Sequence, residues 1–582
     1  MKFLYTLGIL LTMGLLLAAC QGSAEKTSKP SADWSRGVEA GNFVTGSIGI
    51  TIQGAGERVH MAWPADMGEG SYIRYIQLDA QATRTIEQNL DLSGLLRAPR
   101  LVQAEGDQLH LFWSSRQPGE KNWVIWHSML DAAGKLSGPT QQISQPELST
   151  TNYVVASDHA GGALICWDSS TANEIYLQHV DRAGSPVDEP VLITAHGQFP
   201  SIWVEPNGDV FLAWQEEGSF LYGRTTLAQL TTLETTVIGE IPQGTGKTIQ
   251  GPYLGVAGNW AYVFWSELNR SGMEEGTGYT VYTAFPPDSP SKGGGGRMLL
   301  SPAEEQTYAS YQGSLSLTQL AAPVEEAWAA TDYVLSPSVV QGSQADELAI
   351  ALAMNQDMRT DTHLQIAVAV FRDGQFAGYS LATKTENISD DPVLFLDTGD
   401  HLHLAWRLGS TGSSVYYATT QPSAVAQLER LGGSDIINAI FQGGMEGLVG
   451  ITFLPIIGFG WLLPGMVIMV LVKIFRDQDS LTELKYWIPL VLSILIFYVV
   501  KLATLPTIST YVPFSAWIDI PERFWVLLRY TVPVLILFCA ILVADRVRRK
   551  KSSSAIMFYI TFVLVDAVLT LGIYGVNFLG SY

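Results

Sequence analysis

Three cysteines in 582 residues, at positions 20, 166 and 539, are too few for a disulfide framework. Cys166 sits in an apolar strand-like run and Cys539 in a long lipid-compatible segment. Elements in different layers cannot bring their Cα atoms to the roughly 4.4–6.8 Å a disulfide needs, so buried apolar surface must hold the fold. Basic charge is scarce too: 34 Lys and Arg stand against 55 Asp and Glu, a net of −21. The deficit is regional. Residues 21–435 hold 47 acidic and 22 basic side chains, a net of −25, whereas 436–582 hold 8 and 11, a net of +3. An acidic surface of this kind repels nucleic acid and anionic headgroups, and reads as the solvated face of an exported protein.

What the chain has is a repeat. Glu105-Gly106-Asp107-Gln108-Leu109-His110-Leu111-Phe112-Trp113 is a Gly/Asp turn followed by an apolar run closing on Trp. It recurs as Gly56 to Trp63, Gly161 to Trp167, Asn207 to Trp214, Gly258 to Trp265 and Gly399 to Trp406, with a degraded copy from Asp346 to Leu352. A proline opens another apolar run upstream: Pro99, Pro200, Pro252 and Pro392 precede their Trp by 14, 14, 13 and 14 residues. A repeat of about 50 residues holding several short strands predicts an all-β propeller over 44–422. Markers 63, 113, 167, 214, 265, 352 and 406 give seven blades. Six or eight are the alternatives, because 87 residues separate markers 265 and 352; we read them as an insertion in or after the fifth blade.

His60, His110 and His403 share one repeat position, three before Trp. Sheets about 10 Å apart keep them from sharing an ion that needs bonds of about 2.0–2.1 Å, so packed inter-blade imidazoles are expected. Nothing in the chain calls for a metal or a cofactor. The repeated Trp side chains read as core; Trp203 and Trp260, which break the repeat, are candidates for exposed rings.

The chain begins with Met1-Lys2, an apolar run from Phe3 to Leu16, then Leu17-Ala18-Ala19-Cys20, a secretory signal. Leu-Ala-Ala-Cys resembles the lipobox of bacterial lipoproteins. The resemblance implies a signal peptide over 1–19, cleaved before Cys20, and a fatty-acyl (palmitate-type) anchor on that sulfur; an uncleaved signal anchor is the alternative. Residues 20–43 are expected to be the lipidated Cys and a flexible tether, and 423–447 a juxtamembrane segment.

Within 448–582, four apolar segments, about 448–472, 487–506, 524–544 and 556–579, reach the roughly 20 residues that cross a bilayer. Lys473, Arg476 and Lys485 mark one connecting loop and Arg546, Arg548, Arg549, Lys550 and Lys551 another. Positive loops stay inside, which places the propeller and the C-terminus on the extracytoplasmic face of the cytoplasmic membrane. Asp566 falls near the middle of the fourth segment, with Lys501 and Arg529 as candidate partners. Such a group is either a structural lock or part of a transport path.

A Pro-opened strand followed by an ending such as His403-Leu404-Ala405-Trp406 resembles the sialidase-type propellers and their non-catalytic relatives, although the family's Ser-x-Asp-x-Gly-x-Thr-Trp turn is absent. Such propellers take ligands on the rim where the second strand ends and the first begins. That rim collects Asp66, Glu69, Arg116, Asp168, Glu216, Glu217, Glu267 and Arg407, with Arg97 and Arg100 at a strand opening. Arg100, Arg116, Asp168, Glu216, Glu217, Glu267 and Arg407 are the ligand-binding candidates. The resemblance further implies that a catalytic member would need three convergent Arg, for which Arg100, Arg116 and Arg407 are available. A carboxylate pair about 5–9.5 Å apart would serve glycosidic acid/base work. The expectation is a membrane-anchored lipoprotein that binds or scaffolds an envelope glycan or protein. The alternatives are a sialidase-like glycoside hydrolase and a sensor or transport-accessory subunit acting through the helices.

Overall fold

The computed structural model describes residues 31, 33–42, 49–55, 57–66, 71–241, 246–271, 277–300, 308–323, 334–342, 346–357, 362–385, 387–409, 414–430, 443–444, 447–476, 487–505, 508, 511–513, 524–551 and 554–574. The expected signal and lipidation site at Cys20 and rim residue Glu69 lie outside them. The chain divides into two compact units, one within 24–430 and one dominated by 431–582.

The first unit is a seven-bladed propeller. Blades one to five are successive four-stranded antiparallel sheets over 51–90, 95–142, 150–194, 197–240 and 247–297. Blade six spans 334–381 and blade seven begins at 389. In each repeat the marker-bearing second strand has both faces covered; seven consecutive residues of Leu109–Arg116 are buried. All six marker Trp are at most 8% exposed and Leu352 is at 0%. They pack between sheets rather than around one centre. Seven separate apolar clusters occupy the ring, one at each interface between neighbouring blades. At roughly 25 cal/mol per Å² over roughly 150–250 Å² of aromatic side chain, each Trp contributes several kcal/mol of burial.

Two additions distinguish blades six and seven. The 87-residue interval places Tyr308–Ser310 and Gln319–Ala321 on the outer edge of blade six, making six strands. Glu347, buried at 0% exposure, fastens the addition. It accepts from the Tyr311 hydroxyl (2.8 Å) and the Ser314 amide (3.0 Å), and pairs with Arg372. Blade seven takes its outermost strand from the other end of the chain. Val38–Asn42, expected to lie in the tether, pairs antiparallel with Ser414–Thr419 and closes the ring. Trp34 at 0% exposure and the Ser35 amide, 2.9 Å from the Thr419 carbonyl, extend that closure, so residues 34–42 belong to the ring and not to the expected tether. A short helix α1 (Pro422–Leu428) follows the ring, with Ala424 and Leu428 buried.

The second unit holds four helices long and apolar enough to cross a membrane. They are α2 (Phe459–Arg476, entered through a π-turn at Leu454–Gly458), α3 (Trp487–Thr504), α4 (Trp525–Lys551) and α5 (Ala555–Tyr574). Apolar side chains face outward, among them Phe475 at 82% exposure and Val499 at 67%, a surface suited to lipid. Asp566 on α5 and Lys501 on α3 pair inside, with the Tyr498 hydroxyl donating to Asp566 (2.7 Å) and Lys501 to Thr570 (2.7 Å). Arg529 on α4 makes no ion pair among the described residues.

Candidate functional site

The innermost strands of the propeller share a deformation. In blades two, four, six and seven the residue before the opening proline is left-handed: Ala98 (φ 50°), Phe199 (55°), Ser336 (57°) and Asp391 (49°). Gly251 (101°) does the same before Pro252 in blade five, where a side chain would be strained, and blade one opens on Gly49 (97°). Pro337 is the blade-six landmark that the degraded repeat obscured. Strand register slips at these points in blades two, four, five, six and seven. Left-handed non-Gly residues cost on the order of 1–3 kcal/mol each, and bulges of this kind re-aim neighbouring side chains.

Neighbouring side chains hold the bulges. The Tyr153 hydroxyl of blade three donates to the Ala98 carbonyl, and Asp168 of blade three accepts from the Phe199 amide (2.9 Å). Oγ atoms one residue after a proline, or at the matching position of blade one, receive amides of the next blade. Leu101 donates to Thr51 (3.1 Å), Leu254 to Ser201 (2.9 Å) and Leu394 to Ser338 (2.9 Å).

The bulges surround a central cavity of about 830 Å³. Arg100, Gln250, Tyr253, Asp391 and Arg407 line it beside the bulges, while His159 and Trp203 line it further along the strands. Arg407 is anchored by Asp390, whose carboxylate accepts from its Nε (2.8 Å) and a terminal nitrogen (2.6 Å), and reaches Asp391 at 3.1 Å. Asp391 has a side chain 53% exposed to the lumen. The surrounding protein and the charge of Asp390 raise its carboxyl above the ordinary range, with Arg407 opposing. Burial pushes the Tyr253 phenol up to about 12, helped by Asp391 and opposed by Arg100. The mouth thus offers guanidinium donors, a carboxyl, an amide and a phenol beside apolar walls.

No protein-family model matches the chain, and no curated protein matches it. Among solved structures, the polysaccharide lyase Uly1 is similar at TM-score 0.41 and 8% identity, over 69% of this chain and 94% of that one. The Dos1 propeller is similar at 0.38 and 10%, over 67% and 95%. An exo-β-1,3-galactanase from Phanerochaete chrysosporium is similar at 0.30 and 9%, over 66% and 96%.

The rim residues divide. Arg100 and Arg407 line the cavity; Arg116, Asp168, Glu216, Glu217 and Glu267 do not. Three of these acids are engaged by the fold itself. Asp168, 2% exposed, also accepts from the Asn152 amide (2.7 Å) and side chain (2.9 Å). Glu216 accepts from Trp214 Nε1 and Thr194 Oγ1, both at 2.8 Å. Glu267, 4% exposed, accepts from Lys247 (3.1 Å) and Tyr279 (2.7 Å). Glu217 is an exposed turn residue at φ 47°, and Arg116 stacks on Trp123. Asp391 and Tyr253 went unnoticed in the sequence, although each adjoins a proline landmark.

The histidines bond mainly within their own blades. His60 Nδ1 meets the Tyr75 hydroxyl at 2.6 Å and His403 Nδ1 the Tyr417 hydroxyl at 2.7 Å. His110 contacts His127 at 3.0 Å and reaches the Gly161 carbonyl of blade three at 2.9 Å. Trp203 is half-buried against the cavity, and Trp260 packs against the turn at Gly374.

Proposed function

We propose that the propeller is a glycan-binding module whose ligand enters the bulge-framed mouth of the central cavity, while the four helices, and a lipid on Cys20, hold the module at the outer face of the cytoplasmic membrane. The observation that carries the reading is the mouth itself. Arg100, Gln250, Asp391 and Arg407 supply donors and acceptors for hydroxyls, Tyr253 supplies a ring edge, and the cavity has the size of a small-ligand site. The membrane placement is supported by the Leu17-Ala18-Ala19-Cys20 motif and by the basic loops.

A glycan array probed with the full chain in nanodiscs tests this. Arg407→Ala frees Asp390 and Asp391 to repel each other and should weaken binding at least tenfold, the worth of about 1.4 kcal/mol. Undiminished binding by Arg407→Ala and Tyr253→Ala together would refute the placement. Asp391 supports a second reading, because a lumen-facing carboxyl with a raised pKa suits a general acid. Turnover of fluorogenic glycosides that disappears in Asp391→Asn would make the propeller a glycoside hydrolase; no turnover leaves it a binding module.

A further inference from the structure

Blade two carries three arginines that have no carboxylate partner among the described residues. Elsewhere in the propeller Arg58, Arg74, Arg84, Arg182, Arg224, Arg372 and Arg407 each hold a carboxylate. Arg97, Arg100 and Arg116 make no ion pair among the described residues. This is notable in a region of net charge −25, where carboxylates are abundant.

The three arginines are held by aromatic rings instead. Arg97 lies 3.9 Å and Arg116 5.0 Å from the centre of the Trp123 ring, and Arg100 lies 5.9 Å from that of Tyr153. Arg97 also donates to the Thr150 (2.8 Å) and Thr151 (3.3 Å) carbonyls. Burial and the neighbouring Arg116 lower its pKa to about 10, against the pull of Tyr153 and Asp168. That aspartate is already occupied by three N–H donors. A ring against a guanidinium leaves for a carboxylate or sulfate those N–H groups that are not already donated, on Arg97 to Thr150 and Thr151 and on Arg100 to the Pro99 carbonyl (3.1 Å). Arg116 and Arg97 sit outside the cavity wall, whereas Arg100 is part of it, so the series leads from the rim into the mouth.

We infer that this arc is a second subsite that makes the propeller selective for acidic glycans, chains carrying carboxylate or sulfate groups, whose charged units lie along blade two while the chain enters the cavity. The inference rests on the glycan reading above and adds the charge of the ligand. Repeating acidic units suit repeated guanidinium forks, and the surrounding acidic surface repels any anion not seated on them.

The test uses the full chain in phosphatidylcholine nanodiscs, with polygalacturonate, dextran sulfate and neutral dextran of matched length as probes. At least one acidic polymer should bind at least tenfold more tightly than dextran, and the two polymers distinguish carboxylate from sulfate. Arg116→Gln and Arg97→Gln should each weaken acidic binding about tenfold, a charge-assisted contact being worth about 1.5–3 kcal/mol, and leave dextran unchanged. Arg116→Lys should restore only part of the affinity. Should Arg97→Gln lower the melting temperature, Arg116→Gln decides, since no backbone carbonyl depends on it. Equal binding of acidic and neutral polymers overturns the inference and leaves the glycan reading standing. Loss with Arg182→Gln as large as with Arg116→Gln also overturns it, because a diffuse field would then suffice. A phosphoserine peptide bound in place of every glycan overturns both.

Discussion

Buried imidazoles give the propeller a pH dependence of defined sign. Burial, with Arg58 adding to it, lowers His60 to about 4; burial and His110 lower His127 to about 3. In the unfolded chain both titrate near 6.5. Their contribution to stability is therefore complete above about pH 6.5 and falls below it, because the unfolded chain takes up protons that the folded one refuses. Glu347 acts in the same direction at lower pH: donors from Ser314, Arg372 and Tyr311 hold its carboxyl below the usual range against burial, so its share is lost as acid protonates it. The melting temperature of the full chain should fall between pH 7.5 and 5, each imidazole accounting for up to about 2 kcal/mol at pH 5. His127→Phe should flatten part of that slope, and an unchanged slope would remove His127 from the account. Which side chains line the central cavity is also decided at single residues. Arg100, Arg407, Tyr253 and Asp391 all adjoin repeat landmarks, and the charge of the two arginines singled them out. Nothing local marked Asp391 and Tyr253 as facing the same cavity, because the left-handed residue before each proline turns side chains against the period-2 expectation. For the rim acids, the neighbouring donors that occupy Asp168, Glu216 and Glu267 leave no mark in the local sequence.

Among the elements, α3 and α5 carry the clearest mutual dependence. Lys501 and Asp566 are both buried, and Tyr498 and Thr570 complete their hydrogen bonds. Removing one partner of a buried pair costs about 3–5 kcal/mol, whereas replacing both with apolar groups is often neutral. Asp566→Leu or Lys501→Met alone should therefore lower the unfolding midpoint in detergent, and the double variant should recover most of it. If each single variant were as stable as the parent, the pair would not be a lock, and an ion-flux assay in liposomes would be the next measurement. These helices were legible because twenty apolar residues in a row have few other fates. The strands Tyr308–Ser310 and Gln319–Ala321 were not, since three residues carry no readable alternation and their partner, Tyr379, lies far along the chain.

For the molecule as a whole, the ring was readable because one turn and one apolar marker, Trp in six blades and Leu352 in the other, recur around it. Its closure was not: Val38 pairs with Tyr417, and no local pattern announces a contact across that distance. Deleting residues 33–42 should leave blade seven with three strands and an unpaired edge on Ser414–Thr419. We expect a melting temperature at least 10 °C lower and self-association in size-exclusion chromatography, as exposed edges invite pairing between molecules. An equally stable monomer would show that the seam is dispensable.

That seam also governs how the protein is born. The first strand of the propeller to be synthesised is the last to find its place, and it must wait while nearly four hundred residues are made behind it. Throughout that interval the nascent disc stays open like an unfastened bracelet, its clasp already delivered and its eye still unsynthesised. Chaperones would be needed in this window above all, and a stalled or truncated chain would present a raw β-edge to every copy beside it.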